Sequence, residues 1–296
     1  MAGRAATARA SAPAAGGTLY IVATPIGNLR DVTYRALETL RAVPLIAAED
    51  TRITRRLLER YEITTRTVSY HAQSGPARER ELLDHLGTGA DLALVTDAGT
   101  PVVSDPGEGL VAAWAAAGGT VVAIPGASAV LAAVASSGVA GPRWSFEGFI
   151  ARSGRERKAS LAAIAADERG TVLFEAPGRL AATLRDLAAA CGSDRAAAVC
   201  RELTKLHEQV ARGTLGELAE QAADGTIPAR GEVVIVVGWG RGSAQVAAAD
   251  PANALEAARA EVERLVADGV ARGEAAKRVA TSSGIPRRAL YGAARD

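Results

Sequence analysis

Asp91-Leu92-Ala93-Leu94-Val95-Thr96-Asp97-Ala98-Gly99-Thr100-Pro101-Val102-Val103-Ser104-Asp105-Pro106-Gly107 is the stretch on which the reading of this chain turns. Its first part, Leu92–Thr96, is a short apolar run of the length and composition of a buried strand. Its second part breaks regular structure repeatedly. Thr96–Gly107 packs two glycines, two prolines and two carboxylates into twelve positions. An ordinary turn between a strand and a helix seldom needs so many special residues. The next helix is expected from about Glu108 to Ala117, and Asp105 has a second possible role as its N-cap.

The same rhythm extends in both directions. Thr18–Ala23 reads as a strand that ends at Thr24-Pro25-Ile26-Gly27-Asn28, with a helix over Asp31–Arg41. Pro44–Ala48 and Thr67–Tyr70 read as strands, Thr51–Arg60 and Pro76–Leu86 as helices. Thr120–Ile124 is a strand that runs into Pro125-Gly126-Ala127-Ser128 and a helix start at Ala129. Continuous apolar strands alternating with helices predict a parallel sheet covered on both faces. Ligands of such sheets bind at the carboxyl ends of the strands, where these glycine- and proline-rich loops fall.

A second α/β unit is expected after Ser137–Pro142. Its strands lie near Trp144–Phe149, Thr171–Glu175, Ala196–Cys200, Glu208–Ala211 and Glu232–Val237, and its helices near Arg155–Ala165, Arg179–Ala190 and Leu215–Ala223. Gly238–Pro251 reads as a linker. Helices at Ala254–Val266, Gly273–Thr281 and Arg287–Ala294 come after it, with a Ser283-Gly284-Ile285-Pro286 turn, in the pattern of a small helix-turn-helix. From Arg259 to Asp296 there are eight basic and five acidic residues, a local charge of +3. The division expected is therefore a disordered extension over 1–17, α/β domains over 18–137 and 138–240, and a helical tail over 252–296.

Bulk properties narrow the class. With 296 residues, 48% hydrophobic and 23% charged, the chain can build a packed core and is not disordered by composition. Its net charge of +1 neither requires nor excludes a nucleic-acid partner, because local patches matter more than the total. Two cysteines, Cys191 and Cys200, make no disulfide framework, so a reducing, cytoplasmic setting is expected. No apolar run approaches the roughly 20 residues that span a bilayer. The first 17 residues lack the apolar core of a secretory signal.

Several groups of residues could carry chemistry. Backbone exposed around Asp97-Ala98-Gly99-Thr100 suits an adenosine and an amino-acid group, and the carboxylates suit a cation or a ribose diol. Ala48-Glu49-Asp50-Thr51-Arg52-Ile53-Thr54-Arg55-Arg56 sets two acids before arginines 52, 55 and 56, which share one helix face and could pair phosphates. A solvated surface helix is the plain alternative. Cys200-Arg201-Glu202-Leu203-Thr204-Lys205-Leu206-His207-Glu208 is dense in ionisable groups, and its plain alternative is a structural ion-pair network. His71, His85 and His207 have no metal-ligand spacing, and His85 is expected on a helix surface.

Taken in order, LYIVATPIGNLRD, AAEDTRITRRLL, LVTDAGTPVVSDPG, AIPGASAV, FEGFI, VCRELTKLHEQVARGTL and RGEVVIVVG resemble the tetrapyrrole (corrin/porphyrin) methylase superfamily over about Gly17 to Gly238. Within it, AEDTR-x-TR, TDAGTP-x-SDPG and RELTK-x-HE resemble the RNA-modifying branch. The resemblance implies two α/β domains with S-adenosylmethionine in a cleft between them, no metal, and a homodimer without a membrane partner. It implies 2'-O-methylation of a small-subunit ribosomal RNA cytidine, number 1402 in the family's nucleotide numbering, with the assembled subunit as substrate. Carried onto this chain, Pro25, Asp97, Ala98, Gly99, Thr100, Val103, Ser128, Ala129, Glu175 and Gly213 become cofactor contacts, and Arg52, Arg55 and Arg56 RNA contacts. Glu49, Asp50, Glu202 and Lys205 are the candidate acid–base groups, because a ribose hydroxyl is a poor nucleophile that a proton acceptor assists. The chain departs from the family at Ala72-Gln73-Ser74, where His-Asn-Glu is usual. It departs again at Phe174-Glu175-Ala176-Pro177-Gly178-Arg179, where Tyr-Glu-Ser-Pro-His-Arg is usual. The alternatives are a methylase of a corrinoid or porphyrinoid small molecule, and a non-catalytic RNA-binding factor on the same scaffold.

Overall fold

The computed structural model describes residues 16–240, 251–267, 269–283 and 285–290. The expected extension over 1–17 lies outside these except for Gly16 and Gly17, and most of the expected linker, 241–250, lies outside as well. The chain divides into two compact units, Met1–Ala129 and Val130–Asp296.

The first unit contains β1 (Thr18–Val22), α1 (Tyr34–Ala42), β2 (Leu45–Ala48), α2 (Thr51–Arg60), β3 (Thr67–Ser69), α3 (Pro76–Gly87), β4 (Leu92–Val95), α4 (Glu108–Ala116) and β5 (Thr120–Ile124). Its five strands are all parallel, in the order β3-β2-β4-β1-β5. Successive side chains of a strand point to opposite faces, and the core divides accordingly. Val22, Ile46, Ala48, Ala93, Val95 and Ile124 pack under α1 and α2 with Leu37, Leu40, Leu57 and Leu58. Leu19, Ile21, Leu45, Ala47, Leu92 and Leu94 pack under α3 and α4 with Leu82, Leu86, Leu110 and Trp114. Such three-layer burial is what continuous apolar strands require.

Two local expectations are corrected. The helix expected over Asp31–Arg41 is split into a 3₁₀ turn, Leu29–Asp31, and α1. Asn28 caps the turn, extended Val32 interrupts it, and the Thr33 hydroxyl accepts from the Ala36 amide to start α1. His85 is half-buried in the last turn of α3 rather than on the surface, and its Nε2 lies 3.0 Å from the Asp91 carbonyl oxygen.

The second unit holds α5 (Ala129–Ser137, apart from its first residue), β6 (Trp144–Phe149), α6 (Gly154–Ala166), β7 (Gly170–Glu175), α7 (Leu180–Cys191), β8 (Ala196–Arg201), β9 (Gln209–Thr214), α8 (Leu215–Ala223) and β10 (Val233–Val237). Its sheet runs β6-β7-β10-β8-β9 and is mixed: β6 is parallel to β7, and every other pairing is antiparallel. Leu173, Ala197, Val199, Val233, Ile235 and Val237 bury one face under Ile164 of α6, Leu180, Leu184 and Leu187 of α7, and Leu215 and Leu218 of α8. α9 (Pro251–Ala267), α10 (Arg272–Ser283) and α11 (Arg287–Leu290) gather around Ala258, Val262, Ala275, Ala276, Val279 and Leu290. Among the described residues no helix is long and apolar enough to cross a membrane.

Gly170, where β7 begins, is held by backbone. A Cβ built on it would lie 2.2 Å from the Ala140 carbonyl oxygen, whereas one on Gly178 would meet nothing within 4 Å. Gly170→Ala is therefore expected to destabilise the protein by about 1–3 kcal/mol, as overpacking against an unyielding neighbour does. Gly178→Ala should leave the urea midpoint near wild type. Equal midpoints for the two variants would refute the assignment.

Candidate active site

Because β2, β4, β1 and β5 are parallel neighbours, the loops that leave them emerge along one edge of the first sheet. Glu49 and Asp50 follow β2, the segment 96–107 follows β4, 23–28 follows β1, and 125–129 follows β5. Topology thus brings Pro25, Asp97, Ala98, Gly99, Thr100, Val103, Ser128 and Ala129 to the edge that also carries Glu49 and Asp50.

Two of these loops are tied together. The Thr24 amide donates to the Gly99 carbonyl at 2.8 Å, and the Gly99 amide returns the bond to the Thr24 carbonyl at 3.1 Å. The Thr24 hydroxyl donates to the Thr96 carbonyl at 3.1 Å. Gly99 has φ +85°, a conformation that favours glycine. Space is not the reason, since a Cβ there would meet only Ile26 at 3.5 Å and Ala127 at 3.9 Å. Val102 (φ 76°) and Ser104 (φ 65°) also occupy the left-handed region. For a β-branched residue this is a true outlier, and each such residue costs about 1–3 kcal/mol, which marks a loop held by its surroundings. Gly107 closes the loop at φ +128°, where a Cβ would lie 2.6 Å from Leu94. Gly107 is also the N-cap of α4, so Asp105 is not the cap.

That leaves Asp105 beside other carboxylates. The Asp97 amide donates to Glu49 at 3.2 Å, and Asp97 accepts from the Asp50 amide at 3.0 Å. Burial raises Asp97 above the usual carboxylate range, with the Glu49 charge adding to it. Burial pushes Asp105 up to about 6, and Glu49 and Asp97 push in the same direction. Asp50 behaves oppositely. It caps α2 through the Arg52 amide and pairs with the Arg52 guanidinium at 2.6 Å, and these bonds hold it at about 2. Arg52 is thus already engaged, whereas Arg55 and Arg56 are exposed on α2 and Thr54, Leu57 and Leu58 face inward.

In the second unit the structure commits several candidates to internal bonds. Glu175 is 2% exposed; it accepts from the Ala176 amide, from Arg179 and, at 2.6 Å, from the Thr183 hydroxyl. Its carboxylate is an anchor whose two oxygens are both engaged within the fold. Glu202 accepts from the Glu232 amide at 2.9 Å and from Lys205 at 2.9 Å, and these hold it below its ordinary range. Burial alone would lower Lys205, but pairing with Glu202 and Glu232 outweighs it and keeps the ammonium firmly protonated. Gly213 lies on edge strand β9 opposite Ala197, where a Cβ would press on Glu217 at 2.8 Å.

Sequence reasoning passes over Thr24, a residue adjoining the named Pro25, and takes Asp105 for a possible cap. The spacing of Asp97 and Asp105 across a loop with glycines at both ends is the available signal. Among the described residues no cluster of His, Cys, Asp and Glu suits a metal ion.

The model of the tetrapyrrole (corrin/porphyrin) methylases matches residues 18–219. Ribosomal RNA small subunit methyltransferase I of Synechocystis sp. is 46% identical over 275 residues, covering 93% of this chain and 96% of that protein. The Bacillus subtilis protein of the same name is 40% identical over 277 residues, 94% of each. Among solved structures, a cobalt precorrin-4 methyltransferase of cobalamin biosynthesis aligns with TM-score 0.59 and 18% identity, covering 75% of this chain and 95% of that one. Uroporphyrin-III C-methyl transferase from Thermus thermophilus, complexed with S-adenyl homocysteine, gives 0.54 and 19% over 78% of this chain and all of that one. At such identities these structures speak for the fold alone, whereas the curated relatives match nearly end to end. The chain belongs to the tetrapyrrole methylase family, in the branch of the ribosomal RNA small subunit methyltransferases I.

Proposed function

We propose that this protein transfers the methyl group of S-adenosylmethionine to the ribose 2'-oxygen of a cytidine in small-subunit ribosomal RNA, the family's cytidine 1402. The observation that carries this reading is the Thr24–Gly99 pairing, which fixes an open glycine bend beside an acidic edge, in a chain whose relatives bear that name. The edge fits a cationic ligand. Glu49, Asp97 and Asp105 crowd one another, and a positive charge would offset both the burial that chiefly raises Asp97 and Asp105 and the repulsion that adds to it. Pro25, Asp97, Ala98, Gly99, Thr100, Val103, Ser128 and Ala129 are the residues that would hold it, while Glu175 supports the fold around the second unit's loops. S-adenosylmethionine supplies a sulfonium methyl already activated for displacement. The chain then has to align the 2'-oxygen behind the methyl and accept its proton. Glu49 and Asp105 suit the second task better than Asp50, Glu202 or Lys205, whose charged forms are fixed by partners. We further infer α/β domains over 18–137 and 138–240 with a tail over 252–296, a homodimer, a cytoplasmic setting and the assembled subunit as substrate. In the tail, Arg264, Arg272 and Arg278 pair with Glu261, Glu263 and Glu274, pairings that leave its net charge of +3 unchanged.

Mass mapping of ribose methylation in ribosomal RNA from cells lacking the protein tests the reaction. One cytidine should lose its 2'-O-methyl group and regain it on complementation, and an unchanged map rejects the reading. Asp105 gives a pH signature. It is raised to about 6, so its carboxylate form, which attracts a sulfonium, is populated as pH rises through that value. Affinity for S-adenosylmethionine relative to S-adenosylhomocysteine, whose sulfur is uncharged, should rise between about pH 5 and about pH 7. Asp105→Asn should flatten that ratio, and calorimetry that finds a pH-independent ratio in the wild type counts against the assignment. Reversing Arg55 and Arg56 to Glu should weaken RNA binding and reduce its salt dependence while cofactor affinity stays constant. Unaltered RNA binding would make α2 a plain solvated helix.

A further inference from the structure

Phe149 ends β6, an edge strand whose only neighbour among the described residues is β7. The pairing runs Phe146 against Val172 and then Phe149 against Phe174, three steps on β6 for two on β7. This bulge re-aims the end of the strand. The Phe174 ring touches both others, at 4.9 Å from Phe146 in an edge-on pose and at 5.5 Å from Phe149 with the planes tilted by 58°. Phe149 nevertheless stays 61% exposed. A single exposed ring is unremarkable by itself; this one is distinguished by the way it is held and by the cations next to it in the chain.

The backbone beyond the ring is pinned by two guanidinium groups. Arg179 donates to the Ile150 carbonyl at 2.9 Å, and Arg157 donates to the Ala151 carbonyl at 3.1 Å. Arg179 is in turn bound to Glu175, and Arg157 to Asp186 and Thr183. Arg152, Arg155 and Lys158 come next, all exposed, and among the described residues none of the three forms an ion pair. Glu156 is the one acid between Ile150 and Ser160. The strand's own carboxylate, Glu147, acts on Arg169 instead.

We propose that Phe149 is a stacking platform for an unpaired base of the RNA, with Arg152, Arg155 and Lys158 holding the phosphates beside it. Single-stranded RNA is recognised by such pairs of aromatic face and cation, because every base offers a π-face and every linkage a charge. A ring fixed before binding loses little freedom on stacking. Duplex RNA, whose bases are already stacked, gains nothing from the ring. The proposal rests on the RNA reading above and adds to it a surface made by β6 and the start of α6.

The test measures binding of a labelled short oligocytidylate and of a duplex RNA of equal length to the full chain. Phe149→Leu keeps an apolar side chain but removes the π-face; it should weaken oligocytidylate binding about 5-fold or more and leave duplex binding unchanged. Phe149→Trp should bind as wild type. Reversal of Arg152, Arg155 and Lys158 to Glu should lower the salt slope by about 2, as loss of three phosphate contacts on a single strand does. Melting temperature and cofactor affinity serve as controls; should Phe149→Leu melt early, the triple reversal decides alone. Wild-type oligocytidylate binding by Phe149→Leu overturns the proposal. So does loss of self-association in sedimentation with RNA binding intact, which would make the ring a protein contact. Methylation mapping of wild-type and deletion cells is scored separately, so a wrong reaction and a wrong platform give different results.

Discussion

Two main-chain hydrogen bonds, exchanged between Thr24 and Gly99, hold the loop after β1 against the loop after β4. Each loop by itself is short of regular partners, and an unpaired backbone group removed from water is costly. Their mutual pairing satisfies those groups and fixes the bend at Gly99 without filling the space above it. The left-handed Val102 and Ser104 then result from a chain that must reach Gly107 and the first turn of α4 from that fixed point. The acidic crowding has the same origin. Glu49 and Asp97 exchange bonds with neighbouring amides because β2 and β4 are adjacent and parallel, so their ends cannot avoid each other.

The second unit solves a similar problem with side chains. Glu175, fully buried at the end of β7, holds Arg179 and Thr183; Arg157 reaches Thr183 and Asp186; and the two arginines bind the carbonyls after β6. A buried carboxylate is tolerable only when its oxygens are satisfied, and here each has partners. The network ties three elements, β7, α7 and the start of α6, to one loop. The departure from the family pattern at Ala176 and Gly178 leaves the Glu175 and Arg179 of this network in place.

Much of this is legible in the sequence. The α2, β5, β6 and α8 spans agree with the sequence reading residue for residue; two of them start at a strong cap, Asp50 before α2 and Thr214 before α8. The grouping of Pro25, Asp97–Thr100 and Ser128 at one edge is legible too, since parallel order places every strand end on the same side. The internal partners of Glu175, Glu202 and Lys205 are not legible in the sequence. Density of charge along a chain does not say whether partners lie within the fold, and all three find theirs through residues at Thr183, Arg179 or Glu232. The mixed order of the second sheet is equally hidden. Apolar runs such as Val233–Val237 read alike whichever direction their neighbours take.

The three tail helices close around a small set of side chains of their own, Ala258, Val262, Ala275, Ala276, Val279 and Leu290. All of these but Leu290 are alanine or valine, and the larger Leu255, Leu265 and Ile285 pack against them only partly buried, so the nucleus buries little apolar area. A segment with that composition has a low free energy of opening compared with sheets that bury whole leucines. Calorimetric unfolding of the chain would then depart from a single two-state transition, with the tail melting as an early, separate cooperative step.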